Sequence, residues 1–167
     1  MYFNLFQGFV MDEKFRKKAL RMFSYGVYIL ISKFEDNYCA ATVTWVSQAS
    51  FEPPLISICI KGDSVSYAGV KERDEFLLHI SRENQKDFAT SFFEQTTLGN
   101  GLINEQDYHL QDNLPSLAAG PAYLKCKVIE IVEKGDYPLF LAEVKNALIQ
   151  KTFKPLELRT TGWNYGG

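Results

Sequence analysis

The sequence predicts a mostly β fold, a closed antiparallel barrel with a few helices at its periphery. From residue 27 onward the chain is dominated by short runs rich in Val, Ile, Tyr and Phe, which favour strands. Turn residues separate these runs, and the regular helical crossovers that parallel strands require are not predicted between them. The length of 167 residues suits one domain, large enough to bury roughly 70% of the surface of its unfolded chain.

Composition excludes several classes of function. The 18 Lys and Arg residues and 20 Asp and Glu residues give a formal net charge of −2, so there is no basic excess for binding a nucleic-acid backbone. The 3 cysteines and 2 histidines lack the spacing of a zinc site, so no metal is predicted. No apolar run reaches the roughly 20 residues of a membrane span. Unpaired cysteines favour a reducing, cytoplasmic compartment.

The aromatic content of 14% is the unusual feature of the composition. Composition alone leaves three places for these rings: the core, a dimer interface or a site for a planar ligand.

The first predicted element is a helix over residues 12–23, with acidic residues at its start and basic residues towards its end. Its apolar side chains recur on one face, which we expect to lie in the core or a dimer interface: Phe15, Ala19, Met22 and Phe23. Residues 1–11 have no positively charged start and no cleavage site, so they do not resemble a signal peptide. We expect them to form an extension that packs on the domain or on a partner.

Strands are predicted wherever β-branched and aromatic residues cluster between turn residues. Four such runs come first, at residues 27–34, 38–50, 55–61 and 76–81. A helix over residues 85–94 follows, and the spacing of its phenylalanines assigns them to the core or an interface.

The longest predicted connection is residues 96–121, which contain three glycines and two prolines among polar residues. A compact domain rarely keeps so long a connection without a use, so we expect a lid or a partner-facing segment. Strands over residues 123–132 and 139–149 then complete the fold. The first of these changes phase at Ile129, as a β-bulge would.

Residues 39–55 place polar side chains among apolar strand residues. Thr42 and Thr44 have the same parity, so they are expected to project from the same face of a strand. A buried hydroxyl needs a partner, which is either neighbouring backbone or the polar edge of a ligand. Threonine is also common in strands for its shape alone.

Residues 61–70 follow a predicted strand and open a predicted helix. They begin with Lys61 and contain the hydroxyls of Ser64 and Ser66. A cation and hydroxyls at a helix N-terminus suit a phosphate, because the first N–H groups of a helix are free. Ser64 could equally serve only as the N-cap of this helix.

In this order the motifs resemble those of the flavin reductase-like, FMN-binding split-barrel family. The most specific pieces are SFEPPL at residues 50–55, the turn at residues 61–66 and GDYPLFLAEV at residues 135–144. The resemblance implies a six-stranded antiparallel split β-barrel that forms a homodimer, with flavin held near the interface. It also implies hydride transfer from NAD(P)H to flavin N5, after which electrons pass to an acceptor such as a redox partner protein.

The resemblance assigns flavin contacts to three segments, and it implies FMN as the cofactor, with FAD as the alternative and NAD(P)H as the co-substrate. No catalytic acid or base is implied, because the cofactor supplies the chemistry. Along the isoalloxazine ring lie Thr42, Val43, Thr44, Trp45, Ser47 and Gln48. Beside the ring and the ribityl chain lie Cys59, Ile60 and Lys61, and at the phosphate lie Ser64 and Ser66.

Two residues depart from the pattern of this family. Trp45 stands where the family has a smaller polar residue, so its ring is expected to cover the flavin or narrow the access to it. Tyr137 stands where the family has a histidine, on the side of the nicotinamide. Its phenol can stack or donate a hydrogen bond, but it is not cationic at neutral pH. Flavin binding is therefore better supported by the sequence than the use of NAD(P)H.

Three functions stay open from the sequence: an NAD(P)H-dependent flavin reductase, an FMN electron carrier or flavin-binding module reduced by a protein partner, and a barrel without flavin. The whole chain, residues 1–167, is expected to be one flavin reductase-like domain with a tail over residues 160–167. This tail is polar, glycine-rich and aromatic. It could cross to a partner subunit, dock a redox partner or fray.

Overall fold

The computed structural model describes residues 12–167, and the extension expected over residues 1–11 lies outside the described residues. The helices are α1 (Glu13–Leu20), α2 (Val65–Arg73), α3 (Lys86–Thr90) and α4 (Leu158–Thr161). The strands are β1 (Tyr28–Phe34), β2 (Asn37–Val43), β3 (Val46–Ser50), β4 (Leu55–Cys59), β5 (Glu75–Ile80), β6 (Leu98–Gly99), β7 (Leu102–Ile103), β8 (Gln106–Gln111), β9 (Leu114–Leu117), β10 (Ala122–Val132) and β11 (Leu139–Ile149).

Two antiparallel sheets contain these strands. The larger has seven strands in the order β2-β1-β5-β10-β11-β4-β3, and the smaller has four in the order β6-β7-β8-β9. The predicted mostly β, antiparallel fold with few helices is confirmed. The predicted closure and the strand number are corrected: the order of the larger sheet does not close, and it has seven strands instead of six. The seventh arises because the run over residues 38–50, expected as one strand, is interrupted at Thr44 and Trp45.

The larger sheet is nevertheless strongly curled. β2 and β3 lie at its opposite edges, although only Thr44 and Trp45 separate them along the chain. In a flat sheet of seven strands the edges would be about 29 Å apart, at about 4.8 Å per strand spacing. Three Cα steps from Val43 to Val46 span at most about 11 Å. The sheet therefore curls until its edges approach at this end, but no ladder joins β2 to β3 within residues 12–167.

Both faces of β1 are buried, which divides the core into two clusters. Ile29 and Ile31 face one cluster together with Phe92 of the segment after α3. Leu30, with the opposite parity, faces the other cluster together with Phe140 of β11. The first cluster lies between β1, α3 and the smaller sheet, and the second lies within the curl of the larger sheet.

Residues 96–121 are not the loose connection expected from the sequence. They form the smaller sheet, whose Ile103, Leu114 and Leu117 are buried in the first cluster. The turns of this sheet use residues in the left-handed region, among them Asn100 at φ 51° and Gly101 at φ 77°. Asn and Gly adopt this region at low cost, so the polar, glycine-containing composition reflects tight hairpins rather than a lid.

Of the two places expected for the apolar face of the first helix, the core is excluded, and a dimer interface stays a prediction. α1 has no buried residue, and Phe15, Met22 and Phe23 are 68%, 72% and 63% exposed. The helix is also shorter than predicted and ends at Leu20. The helix predicted over residues 85–94 is likewise reduced to α3.

His79 connects the two sheets. It lies in β5 and is fully buried, and its Nε2 accepts a hydrogen bond from the N–H of Leu117 in β9, at 3.4 Å. Burial lowers the pKa of His79 from its ordinary value of 6.5 to about 4. The neutral imidazole is therefore the form that the folded protein requires at physiological pH.

The pKa of His79 predicts acid destabilisation. The unfolded chain binds a proton at His79 below about pH 6.5 and the folded chain only below about pH 4, so stability falls as the pH drops through this window. The loss in the free energy of unfolding that this histidine causes between pH 7 and pH 4 is at most about 3 kcal/mol. Urea unfolding at pH 7 and pH 4.5 measures it. The exposed His109, whose charge is only the smallest of the causes acting on His79, provides the control. His79→Gln should reduce the pH dependence and His109→Gln should change it much less, whereas equal slopes for all three proteins would contradict this.

Candidate functional site

Three segments meet at the end of the larger sheet where its edges approach. The N–H of Cys59 donates to the carbonyl of Trp45 at 3.0 Å, and the N–H of Ile60 donates to the carbonyl of Pro138 at 3.1 Å. The N–H of Gly62 donates to the carbonyl of Asp136 at 2.9 Å. These bonds join the β2–β3 connection, the residues after β4 and the loop before β11.

Gly62 allows this close approach. A Cβ atom at this position would lie 3.3 Å from Cδ of Pro138 and 3.4 Å from the carbonyl oxygen of Asp136. A larger side chain would therefore push the loop before β11 away from the start of α2.

Four aromatic residues gather around the β2–β3 connection, and we call them the aromatic cluster: Tyr25, Trp45, Tyr137 and Tyr165. The ring centroid of Trp45 lies 4.7 Å from that of Tyr137, 5.7 Å from that of Tyr165 and 6.3 Å from that of Tyr25. The hydroxyls of Tyr137 and Tyr165 are hydrogen-bonded to each other. The cluster presents planar apolar surfaces with polar atoms at their edges, which is the character of a site for a planar ligand.

Two buried donors in the β2–β3 connection lack partners among the described residues. They are the hydroxyl of Thr44, a residue only 6% exposed, and the indole N–H of Trp45. A buried polar group without a hydrogen bond costs about 1–3 kcal/mol, so such groups are expected to have a use. Two adjacent donors beside an aromatic cluster fit the carbonyl oxygens and ring nitrogens of a flavin, and the residues present therefore suit this cofactor.

The neighbouring Thr42 has a different role. Its hydroxyl donates to the carbonyl of Ala89 in α3 at 2.6 Å, and its own N–H donates to the carbonyl of Phe92. Val43 packs against the second core cluster. Of the two alternatives that the sequence leaves open for a buried hydroxyl, Thr42 has a backbone partner, whereas Thr44 has none in the described part of the chain.

Ser47 and Gln48 are exposed on β3, away from the core. The Ser47 hydroxyl and the Gln48 amide donate to nearby backbone carbonyls, at 3.2 Å and 3.3 Å. Both residues line an apolar groove of about 270 Å³, whose other walls include Tyr28, Leu55 and Val144. They therefore lie along a second surface that begins next to the β2–β3 connection.

Cys59, the last residue of β4, and Ile60 offer few free groups, because both of their backbone N–H groups are bonded within the protein. Ile60 is 2% exposed and belongs to the second core cluster, so its side chain is not available to a ligand. Cys59 is half-buried and free, and burial raises the pKa of its thiol above the ordinary value. The thiol is therefore protonated at neutral pH and is not a nucleophile here.

The start of α2 contains the residues expected at a phosphate. Ser64 is the N-cap: its hydroxyl accepts from the N–H of Tyr67 at 3.1 Å and donates to the carbonyl of Lys61 at 2.7 Å. Ser66 is buried within the first turn of the helix. Lys61 is exposed and forms an ion pair with Asp63 at 3.0 Å, and hydrogen bonding to Asp63 raises the pKa of Lys61.

Aspartate at position 64 should weaken phosphate binding without uncapping α2. Asp and Asn are N-caps as good as Ser, but only Asp adds a negative charge at the expected phosphate. We therefore expect Ser64→Asp to raise the Kd for FMN by about tenfold or more, as 1.4 kcal/mol of repulsion would. Ser64→Asn is the matched control and should change the Kd by less than about threefold. Fluorescence titration with FMN measures both, and equal affinities for the two variants would place the phosphate elsewhere.

Sequence reasoning missed two members of the aromatic cluster, Tyr25 and Tyr165. Tyr25 sits in the short stretch that ends the first helix, and Tyr165 lies in the glycine-rich tail expected over residues 160–167. Aromatic residues in otherwise polar, glycine-containing stretches were the available signal. This signal does not identify which residue such a ring contacts. Tyr165, for example, contacts Trp45, which is more than 100 residues away along the chain.

The part of the chain that the structure describes contains no group of three or more His, Cys, Asp or Glu side chains placed to hold a metal ion. It also contains no helix that is long and apolar enough to cross a membrane.

Comparison with protein families and curated proteins gives consistent matches. The model of the flavin reductase like domain matches residues 20–163. The reductase component of 4-nitrophenol 4-monooxygenase/4-nitrocatechol 2-monooxygenase from Rhodococcus opacus is 26% identical over 137 residues, which cover 82% of this chain and 72% of that protein. Diflavin flavoprotein A 1 from Synechocystis is 27% identical over 137 residues, but the chain spans only 24% of its length.

Solved structures share the fold. The styrene monooxygenase flavin reductase from Pseudomonas putida S12 superimposes with a TM-score of 0.75 at 22% identity, covering 92% of this chain and 97% of that one. The NADH:FAD oxidoreductase SgcE6 from Streptomyces globisporus, in complex with NAD and FAD fragments, gives a TM-score of 0.77 at 21% identity, covering 94% and 96%.

Proposed function

The chain belongs to the flavin reductase-like domain family, and from this premise we propose that it is an NAD(P)H-dependent flavin oxidoreductase that passes electrons from the flavin to an acceptor. The observation that carries the proposal is the pair of buried donors of Thr44 and Trp45 beside the aromatic cluster, which have no partner within residues 12–167. A bound flavin would accept hydride from the nicotinamide, and the protein would supply binding and orientation.

Each group of site residues has a proposed task. The Thr44 hydroxyl and the Trp45 indole N–H would donate to the polar edge of the flavin, and donors there favour the negative charge of its reduced form. Backbone groups at Cys59 and Ile60 would lie beside the ring. The N-terminus of α2, with Lys61, would hold a phosphate.

We propose FMN as the flavin, because one helix N-terminus and one cation suit a single terminal phosphate. FAD is the competing cofactor, and SgcE6 is described as an NADH:FAD oxidoreductase. Titration of the purified protein with each flavin, followed by fluorescence, compares them directly. A lower Kd for FMN supports this choice, and a lower Kd for FAD replaces it.

The assembly around this domain is also part of the proposal. We propose that the chain, residues 1–167, is one domain that works as a homodimer, with its curled sheet corresponding to the split barrel of the family. The apolar groove lined by Ser47 and Gln48 supports an interface beside the flavin. A redox partner is supported by the Rhodococcus relative, a reductase component. The free cysteines fit a reducing compartment such as the cytoplasm. Sedimentation velocity tests the dimer.

A second candidate is an FMN electron carrier that a protein partner reduces. Tyr137 favours it, because this residue packs against Trp45 and is bonded to Tyr165 on the side expected for the nicotinamide. Anaerobic mixing of the FMN-loaded protein with NADH and then NADPH separates the two. Bleaching of the flavin absorbance supports the reductase. Retention of the absorbance, with normal reduction by dithionite, supports the carrier, and failure to take up FMN or FAD contradicts both.

A further inference from the structure

Residues 163–167, which we call the aromatic strap, are held at one end by Trp163. Its ring makes an edge-to-face contact with Phe93, with centroids 4.6 Å apart, and the ammonium group of Lys86 lies 5.9 Å from the centroid of its ring. Its backbone N–H donates to the hydroxyl of the buried Thr161 at 3.0 Å. This end of the strap is therefore anchored on the segment after α3, outside the aromatic cluster.

The other end of the strap lies on Trp45. The ring of Tyr165 is 5.7 Å from that of Trp45, and its hydroxyl is bonded to the hydroxyl of Tyr137. A Cβ atom at Gly166 would lie 3.5 Å from Cζ2 of Trp45, and the carbonyl of Gly166 accepts from Nε of Arg21 at 3.0 Å. The strap thus covers the indole and the phenol that depart from the pattern of the family.

The contacts of Tyr165 are weak enough to be exchanged for a ligand. The residue is 42% exposed, and it is held by ring contacts, one hydroxyl pair and the neighbouring bond from Arg21. Gly162 precedes the strap at φ 77°, and Gly166 lies within it at φ 90°. Residues other than glycine adopt such φ values less readily, and glycine lets the backbone rotate at both positions. The part of the strap after Trp163 can open without unfolding the domain, because only the half-buried Trp163, at the anchored end, packs against a core cluster.

We propose that Tyr165 is a gating residue, which occupies the Trp45–Tyr137 face until a reduced nicotinamide dinucleotide displaces it. This inference rests on the proposed function, since Tyr137 is the nicotinamide-side candidate. A ligand that needs the open strap binds with an affinity reduced by the fraction of molecules that are open. The closed strap therefore raises the KM for the reduced nicotinamide dinucleotide.

The position of the strap can be measured without flavin, because Trp45 and Trp163 are the only tryptophans of the chain. Trp163→Phe keeps an aromatic anchor and leaves Trp45 as the sole tryptophan, whose fluorescence is excited selectively at wavelengths that tyrosine does not absorb. In this background, Tyr165→Ala should increase the quenching of Trp45 by acrylamide about twofold or more. The control is Tyr108→Ala, which should leave the quenching unchanged. It breaks the aromatic pair of Tyr38 and Tyr108, whose ring centroids are 6.3 Å apart, as are those of Tyr137 and Tyr165. Unchanged quenching in the Tyr165 variant would overturn the placement of the strap.

Steady-state kinetics with NADH and saturating FMN then test whether Tyr165 obstructs the binding of the dinucleotide. We expect Tyr165→Ala to lower the KM for NADH about tenfold with kcat within about twofold, since it removes competition for binding rather than a step of the chemistry. Trp163→Ala releases the strap from its anchor without touching Trp45, and it should act in the same direction.

The outcomes separate this inference from the proposed function. The proposed function is contradicted if the wild-type protein binds no flavin, or if NADH does not bleach the bound flavin. In either case the quenching experiment still reports on the strap. If NADH reduces the wild-type protein but Tyr165→Ala and Trp163→Ala have an unchanged or higher KM for NADH, only the role proposed for Tyr165 is overturned.

Discussion

Replacing Thr44 with valine is expected to weaken FMN binding about tenfold while making the flavin-free protein slightly more stable. The hydroxyl of Thr44 is buried and has no hydrogen-bond partner among the described residues. Burying it in that state costs about 1–3 kcal/mol, which valine, of nearly the same shape, avoids. If the hydroxyl donates to the flavin, its removal costs about 1.4 kcal/mol of binding, which is the tenfold effect.

Thr42 provides the matched control, because the same substitution there should reduce the stability of the flavin-free protein and leave FMN binding nearly unchanged. Its hydroxyl donates to the carbonyl of Ala89 at 2.6 Å, so Thr42→Val breaks a bond within the protein. We expect a loss of about 1–2 kcal/mol of stability and an FMN affinity within about threefold of wild type.

Urea unfolding of the flavin-free proteins and fluorescence titration with FMN measure both quantities for both variants. A Thr44→Val protein that binds FMN as tightly as wild type would show that this hydroxyl does not face the flavin. A loss of stability as large as that of Thr42→Val would show that Thr44 has a partner within the chain.

The contrast between these two threonines shows what the sequence could and could not predict about the site. Their shared parity predicts that both project from one face of a strand, but β2 ends at Val43, so Thr44 lies outside it. That the segment contacts a flavin stays a prediction. The partner of Thr42, however, is a carbonyl 47 residues away in α3. Such a partner depends on how the helix packs on the sheet, and no local pattern contains this information.

The same limit applies to the fold. The strand over residues 139–149 and the bulge in the preceding strand were predicted correctly, because alternation of apolar and polar residues is a local signal. The interruption of the run over residues 38–50 was not predicted, since Thr44 and Trp45 both favour strands. It is the topology that breaks the run there: the chain must pass from one edge of the curled sheet to the other.

The second large effect is expected at Gly69, which lies where α2 packs on β1 and β2. A Cβ atom at this position would lie 2.7 Å from Sγ of Cys39, 2.8 Å from Oγ of Ser32 and 3.1 Å from the carbonyl carbon of Lys33. The first two atoms are 2.9 Å apart in a buried contact, and their residues are 2% and 0% exposed, so neither side chain has room to turn away. Gly69→Ala should therefore cost about 2 kcal/mol, and Gly69→Val more.

Gly99→Ala is the control for this prediction, because a Cβ atom there has no neighbour within 4 Å. Its stability should stay within about 0.5 kcal/mol of wild type. Thermal unfolding of the variants measures the difference, which for Gly69→Ala corresponds to a decrease in Tm of about 4–8 °C. A Gly69→Ala protein as stable as the Gly99→Ala control would contradict the close packing of α2.

A double variant shows whether the cost at Gly69 arises from the contact with Cys39. Cys39→Ala removes the sulfur atom that the new methyl group would meet, so adding it to Gly69→Ala should restore part of the lost stability, although Cys39→Ala alone leaves a small cavity. Penalties that simply add would mean that the obstacle is the Ser32 hydroxyl or the backbone at Lys33 rather than Cys39. Because α2 begins at the turn with Lys61 and Ser64, displacement of this helix by Gly69→Ala should also raise the Kd for FMN, and relief of the clash should lower it again.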